Sequence, residues 1–163
     1  MKKPFMARWP VNITISDSTL AGIHFELGKF DKALAFDVPV IDEVHINDIK
    51  ENSFVLIFTR KTKSSIPFSF SAIFTATVRV PNLDELKDNE ETIAEYAERV
   101  KWKIAEQAGF PGRASLILSD VTRETGCAFI TPPVLLREKE WIQTPISDDL
   151  CLSLSAENAN LQA

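Results

Sequence analysis

A chain of 163 residues, 45% apolar and 25% charged, is long enough to bury one sizeable core and has an ordinary globular composition. Its net charge of −5 argues against a nucleic-acid partner, which wants a basic face. No apolar run approaches the ~20 residues needed to cross a bilayer, so no membrane insertion is expected.

The opening MKKPFMARWP has two lysines but no continuous apolar stretch behind them, unlike a signal peptide. VNITIS then alternates, with Val11, Ile13 and Ile15 on one face. After a polar break, IHFEL sets Ile23, Phe25 and Leu27 against His24 and Glu26. GKFDKALAFD reads as a connection, and VPVIDEVHIND as a weaker strand with Val40, Val44 and Ile46 in register. SFVLIFTRKT is a strong strand, apolar on both faces at its start and therefore covered on both sides there. KSSIP turns the chain into SIPFSFSAIFTATVRV, where every second residue from Ile66 to Val80 is apolar. Short connections between these strands predict an antiparallel meander.

The period then changes. PNLDELKDNEE is a polar, acidic lead-in. Beyond it Ile93, Tyr96, Ala97, Val100 and Ile104 recur at three- and four-residue spacing, one face of an amphipathic helix that Gly109 should stop. Pro111 opens a second helix, with Ala114, Ile117, Leu118 and Val121 as its stripe and Gly126 as its end. CAFITPPVLL is extended, held out of any helix by Pro132 and Pro133. REKEWIQ has the makings of a helical turn before Pro145. From 145 to 163 runs a tail, SDDLCLSLSAENANLQA at its end, in which Leu150, Leu152 and Leu154 alternate; it reads as an added strand or a disordered end. With no repeat and no linker, residues 1–163 make one α+β domain: a twisted antiparallel four-stranded sheet with helices following the strands and packed on one face.

The fifteen-residue strand is too long for so small a domain. Fully extended it would run about 50 Å, against a radius of gyration near 15 Å. Either it bends at a bulge, or part of it reaches past its own domain and is covered by a partner. Homo-oligomerisation with closed symmetry is the expectation.

Chemistry-bearing groups are sparse. His24 and His45 sit on strands, where half-buried structural roles suit them. There is no glycine-rich phosphate loop, nucleophile elbow or HExxH motif. The carboxylates of DELKD and DNEE suit a solvated helix start, so no metal or cofactor is expected. Cys127 and Cys151 lack metal-ligand spacing and are expected as reduced thiols in a cytoplasmic protein. An enzyme is not expected. The nearest enzymatic alternative, a hotdog-type thioesterase, places its central helix before most strands, whereas here the helices follow.

One stretch resembles a known family. FPGRASLILSDVTRETG followed by CAFITPPVLL is similar to the long helix and proline-bearing segment of the bacterial export chaperone SecB and its divergent stand-alone relatives. The matching features are Phe110-Pro111, then Ser119, Val121 and Arg123, then Pro132, Pro133 and Val134. The upstream order of strands agrees, so the resemblance covers Val11 to Leu136. It implies a protein-transport or holding chaperone without ATP, which binds unfolded or partly folded polypeptide in apolar grooves and assembles as a dimer or tetramer. A dedicated chaperone for one labile partner, such as an antitoxin, is a variant of this reading. The implied groove residues are Val40, Val44, Ile46, Leu135, Leu136 and Trp141, and non-directional apolar contact would tolerate many clients. The family docks the translocase ATPase through acidic residues on the sheet. The matching positions here are Gly22, Glu26 and Ser71, which leaves Glu26 as the sole carboxylate for partner docking and argues against that coupling. The Pro81–Gln107 segment has no close family counterpart. The alternative class is a non-chaperone scaffold that uses the fold for assembly, with Leu150, Leu152 and Leu154 sealing its outer apolar positions.

Overall fold

The alternating stretches become strands and the 3.6-period stretches become helices. The structure, a computed structural model, describes residues 12–28, 36–63, 68–124, 129–131, 133–136 and 143–146. Four long strands form the sheet: β1 (Thr14–Leu27), β2 (Phe36–Asn47), β3 (Ser53–Thr62) and β4 (Phe68–Arg79). Three helices follow: α1 (Leu83–Asp88), α2 (Ile93–Gln107) and α3 (Phe110–Arg123). A short β5 (Gln143–Ile146) extends the sheet at the β2 edge.

The meander holds for β2, β3 and β4 only. The spatial order is β1-β4-β3-β2-β5, with every pair antiparallel. β1 therefore returns beside β4, as in a Greek key. The end of VNITIS from Thr14 on and IHFEL are not two strands. They belong to one, because a bulge between Ser16 and Thr19 absorbs the polar break. Asp17 sits there at φ 50°, in the left-handed region that Asp enters more easily than most residues. The long-strand expectation meets β4, which begins at Phe68 and ends at Arg79. REKEWIQ lies outside the described residues apart from Gln143, which opens β5 rather than a helical turn.

All three helices follow the four long strands in sequence and precede β5, and α2 and α3 pack on one face of the sheet. The core between the layers comes from Phe54, Leu56 and Phe58 of β3, Phe70, Phe74 and Val78 of β4, and Ala97, Val100, Ile104, Ala114 and Leu118 of the helices. Phenylalanine rings knit the layers: Phe110 stacks on Phe74 with centroids 5.2 Å apart and meets Phe58 at 5.9 Å. α1 arises inside the stretch read as a polar lead-in, because Leu86 reaches the core and anchors that turn. Thr92 and Glu95 form a reciprocal capping box that starts α2. Gly109, at φ 73°, supplies the left-handed turn that ends α2 and redirects the chain into α3. α3 stops at Arg123, one turn before Gly126.

Candidate functional site

The side chains group into a buried polar knot and an open apolar cleft.

The knot begins with two adjacent strand positions. Val40, Asp42 and Val44 share one face of β2, as Phe54, Leu56, Phe58 and Arg60 do on β3. The register places Asp42 directly opposite Arg60. Both are shielded from solvent; the Arg60 side chain is 0% exposed. The guanidinium grips the carboxylate by two bonds, Nε to Oδ1 at 2.7 Å and Nη2 to Oδ2 at 2.8 Å. It also donates to the carbonyl of Pro111 at 3.1 Å, to Thr131 Oγ1 at 3.0 Å and to the carbonyl of Val134 at 2.7 Å. Asp42 Oδ2 accepts from the Leu136 amide at 2.7 Å, and the Asp42 amide donates to the Leu136 carbonyl at 2.8 Å. The Ser115 hydroxyl donates to the Thr131 carbonyl. One ion pair thus fastens β2, β3, the start of α3 and the 131–136 segment together. So many satisfied bonds identify it as architecture rather than a reacting group.

The cleft forms because the helices do not cover the sheet evenly. β1 pairs Leu27 with Phe68, Ile23 with Ala72 and Leu20 with Phe74, so these three share the helix-side face. Their β4 partners are at most 3% exposed, whereas Leu20, Ile23 and Leu27 are 39%, 49% and 54% exposed. The far wall is α3. Arg113, Ile117 and Val121 form one i, i+4, i+8 row of that helix. Arg113 shows which way the row faces: its Nη1 donates to Ser18 Oγ of β1 at 3.2 Å, while its guanidinium lies 4.7 Å from the Phe74 ring centre. Ile117 and Val121 are half-buried against the core. The outer edge of β1 pairs with no strand among the described residues.

The groove positions read from the sequence lie elsewhere. Val40, Val44 and Leu136 are 0%, 3% and 1% exposed, packed inside the chain's own core. α2 and the segment fastened by the knot together close this side. Ile46 and Leu135 are half-buried at the rim of that core, and Trp141 lies outside the described residues. Glu26 is on the opposite, helix-free face of β1. Its carboxylate is 3.7 Å from His24 Nε2, and its side chain is 76% exposed. Gly22 and Ser71 share that face without adding charge. His45 and Lys61 flank Glu43 on the same face of β2 and β3, and the Lys61 ammonium, 2.7 Å away, holds the Glu43 carboxyl below its ordinary range.

The sequence reading overlooked Arg60, Asp42, Leu20 and Arg113. Arg60 and Asp42 were legible in principle as charges standing in otherwise apolar alternations. Leu20 was hidden by two register shifts in β1, between Ser16 and Thr19 and between Leu20 and Gly22, which put it out of phase with both Ile15 and Ile23.

Among the described residues no cluster of three or more His, Cys, Asp or Glu could hold a metal. One pocket of about 20 Å³, lined by Asn12, Asn82, Glu85, Asn89, Glu91 and Tyr96 among others, has room for roughly one water. Burial raises the Tyr96 phenol beside it. Cys127 and Cys151 lie outside the described residues. No described helix is long and apolar enough to cross a membrane.

No protein-family model matches the chain, and no curated protein sequence does. A solved structure does: the Mycobacterium tuberculosis SecB-like chaperone Rv1957, in complex with a ChAD peptide from the Rv1956 HigA1 antitoxin. The likeness has a TM-score of 0.53 at 12% identity and covers 75% of this chain and 87% of that one. Order of strands, helices placed after them on one face, and this likeness together give the chain a SecB-like fold.

Proposed function

We propose that this protein is an ATP-independent chaperone or peptide-binding protein that holds non-native polypeptide on apolar surface, without cofactor and without catalysis. The observation that carries the reading is the exposed row Leu20, Ile23 and Leu27. It lies on the same face as the core, beside a strand edge that pairs with no strand among the described residues, with a half-buried helix row across from it. An extended client can pair with the edge and sink alternate apolar side chains into the cleft. Contact of this kind is weakly selective, as a holding activity needs. The solved chaperone of like fold, bound to an antitoxin peptide, supports a polypeptide ligand. The groove role read for the β2 side is kept for Ile46 and Leu135, which line the rim; Val40, Val44 and Leu136 would serve only if the 131–136 segment lifted. Homo-oligomeric assembly and a cytoplasmic setting belong to the same proposal. The near absence of carboxylates around Glu26 favours a stand-alone chaperone over one coupled to a secretion motor.

The test is aggregation of a denatured protein diluted with stoichiometric amounts of this one. The wild type is expected to suppress it. The Ile23→Asp/Leu27→Asp variant should lose most suppression at an unchanged melting temperature, since both side chains are already half in water. Equal suppression by the variant removes β1 as the client site, and no suppression across several clients removes the chaperone reading.

A further inference from the structure

We infer that the cleft between β1 and α3 is also the docking site for the Asp148–Leu154 segment of a second copy of this chain, which makes that segment a built-in competitor of clients. The inference rests on the cleft proposed above as the client site.

Charge and pattern carry it. The cleft is an apolar row, Leu20, Ile23, Ile117 and Val121, with a cation at one end. Arg113 spends one nitrogen on the Ser18 hydroxyl and lays its guanidinium over Phe74 and Phe110. No described carboxylate forms an ion pair with it; Asp120, on the same flank of α3, faces Arg123 at 3.5 Å. A partner that fits presents a carboxylate next to an extended segment with alternating apolar residues. The C-terminal stretch supplies such a segment: Asp148 and Asp149 precede Leu150, Leu152 and Leu154. From Asp149 to Leu154 an extended chain spans about 17 Å, close to the run from Ser18 to Ile23 along β1. Carboxylate and guanidinium then meet at one end, and the leucines fall on the apolar row.

Reach selects the second copy. β5 ends at Ile146 on the far edge of the sheet from β1. Arg113 lies over Phe74, which the register sets level with Val44 of β2, whereas Ile146 faces Phe36; that offset along the strands alone is about 26 Å. Two or three residues carry Asp148 or Asp149 no more than about 11 Å from Ile146. The chain's own acidic pair therefore falls short of its own Arg113, and the segment arrives from another molecule. Two copies exchanging segments reciprocally close the symmetry.

Disulfide trapping in the full chain tests this, with Cys127 and Cys151 replaced by serine and cysteines placed at Ile23 and at Leu152 or Leu154. A disulfide needs Cα atoms within about 7 Å. The expected result is a covalent dimer on non-reducing gels, well above that of a control with Thr77→Cys on the opposite face. Arg113→Glu should cut the dimer yield about fivefold, and Asp148→Lys/Asp149→Lys in the same chain should restore it. An intrachain bond, a yield equal to the control, or no restoration on double reversal each overturns the inference. Client holding is measured on the same preparations before oxidation. Holding without trapping sinks the inference alone, whereas loss of both sinks the cleft as a client site.

Discussion

Arg60 and Asp42 stand where an apolar stripe would have been simpler. Each lies two residues beyond a fully buried neighbour on its own strand, and the register sets them face to face. Either charge alone in that core would be expensive, so the pair is all or nothing. Arg60→Met or Asp42→Asn should lower unfolding free energy by about 3–5 kcal/mol in urea titration. Replacing both by apolar residues should recover much of that loss, yet leave the amides of 131–136 less protected in hydrogen exchange, since their carbonyl and amide partners are gone. The surface pair Lys61–Glu43 behaves differently. Its side chains are 41% and 37% exposed, so solvent screening limits it to under about 1 kcal/mol. The Glu43 carboxyl is lower in the folded chain than in the unfolded one. Its contribution is therefore present above the ordinary carboxylate range and fades as pH falls through the folded value. Lys61→Ala should cost a small increment of stability at pH 7 and almost nothing near pH 3, measured as the difference in denaturant midpoint.

At the scale of elements, period and capping chemistry were legible and partnership was not. Alternation located β3 and β4, and the three- and four-residue spacing located α2 and α3. Thr92 with Glu95 starts α2 by a local device, so Thr92→Ala should cost about 1 kcal/mol in thermal unfolding. A Thr92→Ser variant, which keeps the hydroxyl, should cost less. Where tertiary contact decided, local reading fell short. α1 exists because a single leucine, Leu86, reaches the core from an acidic stretch. β1 is continuous because a bulge at Asp17 and Ser18 tolerates the polar break, and pairing with β4 sets its register. Alternation puts the β2-side residues Val40 and Val44 on one strand face, and the family resemblance implies a groove there. They are core because α2 and the proline-bearing segment clamped by Arg60 both lie over that face. No spacing rule contains that information, since it depends on a contact between residues 74 positions apart.

For the whole molecule, the uneven helix layer matters most. α2 and α3 seal β2, β3 and β4 and stop short of β1. A domain of this size rarely leaves apolar residues of the core-facing row in water without a use for them. The most direct test is site-specific photo-crosslinking. A photoreactive residue is placed in the full chain at Ile23, at Leu27, or at Thr77 on the helix-free face, and irradiated with an unfolded client. Strong client adducts from positions 23 and 27 with little from 77 are the predicted outcome. Equal labelling from all three, or none from the β1 positions, would contradict the account.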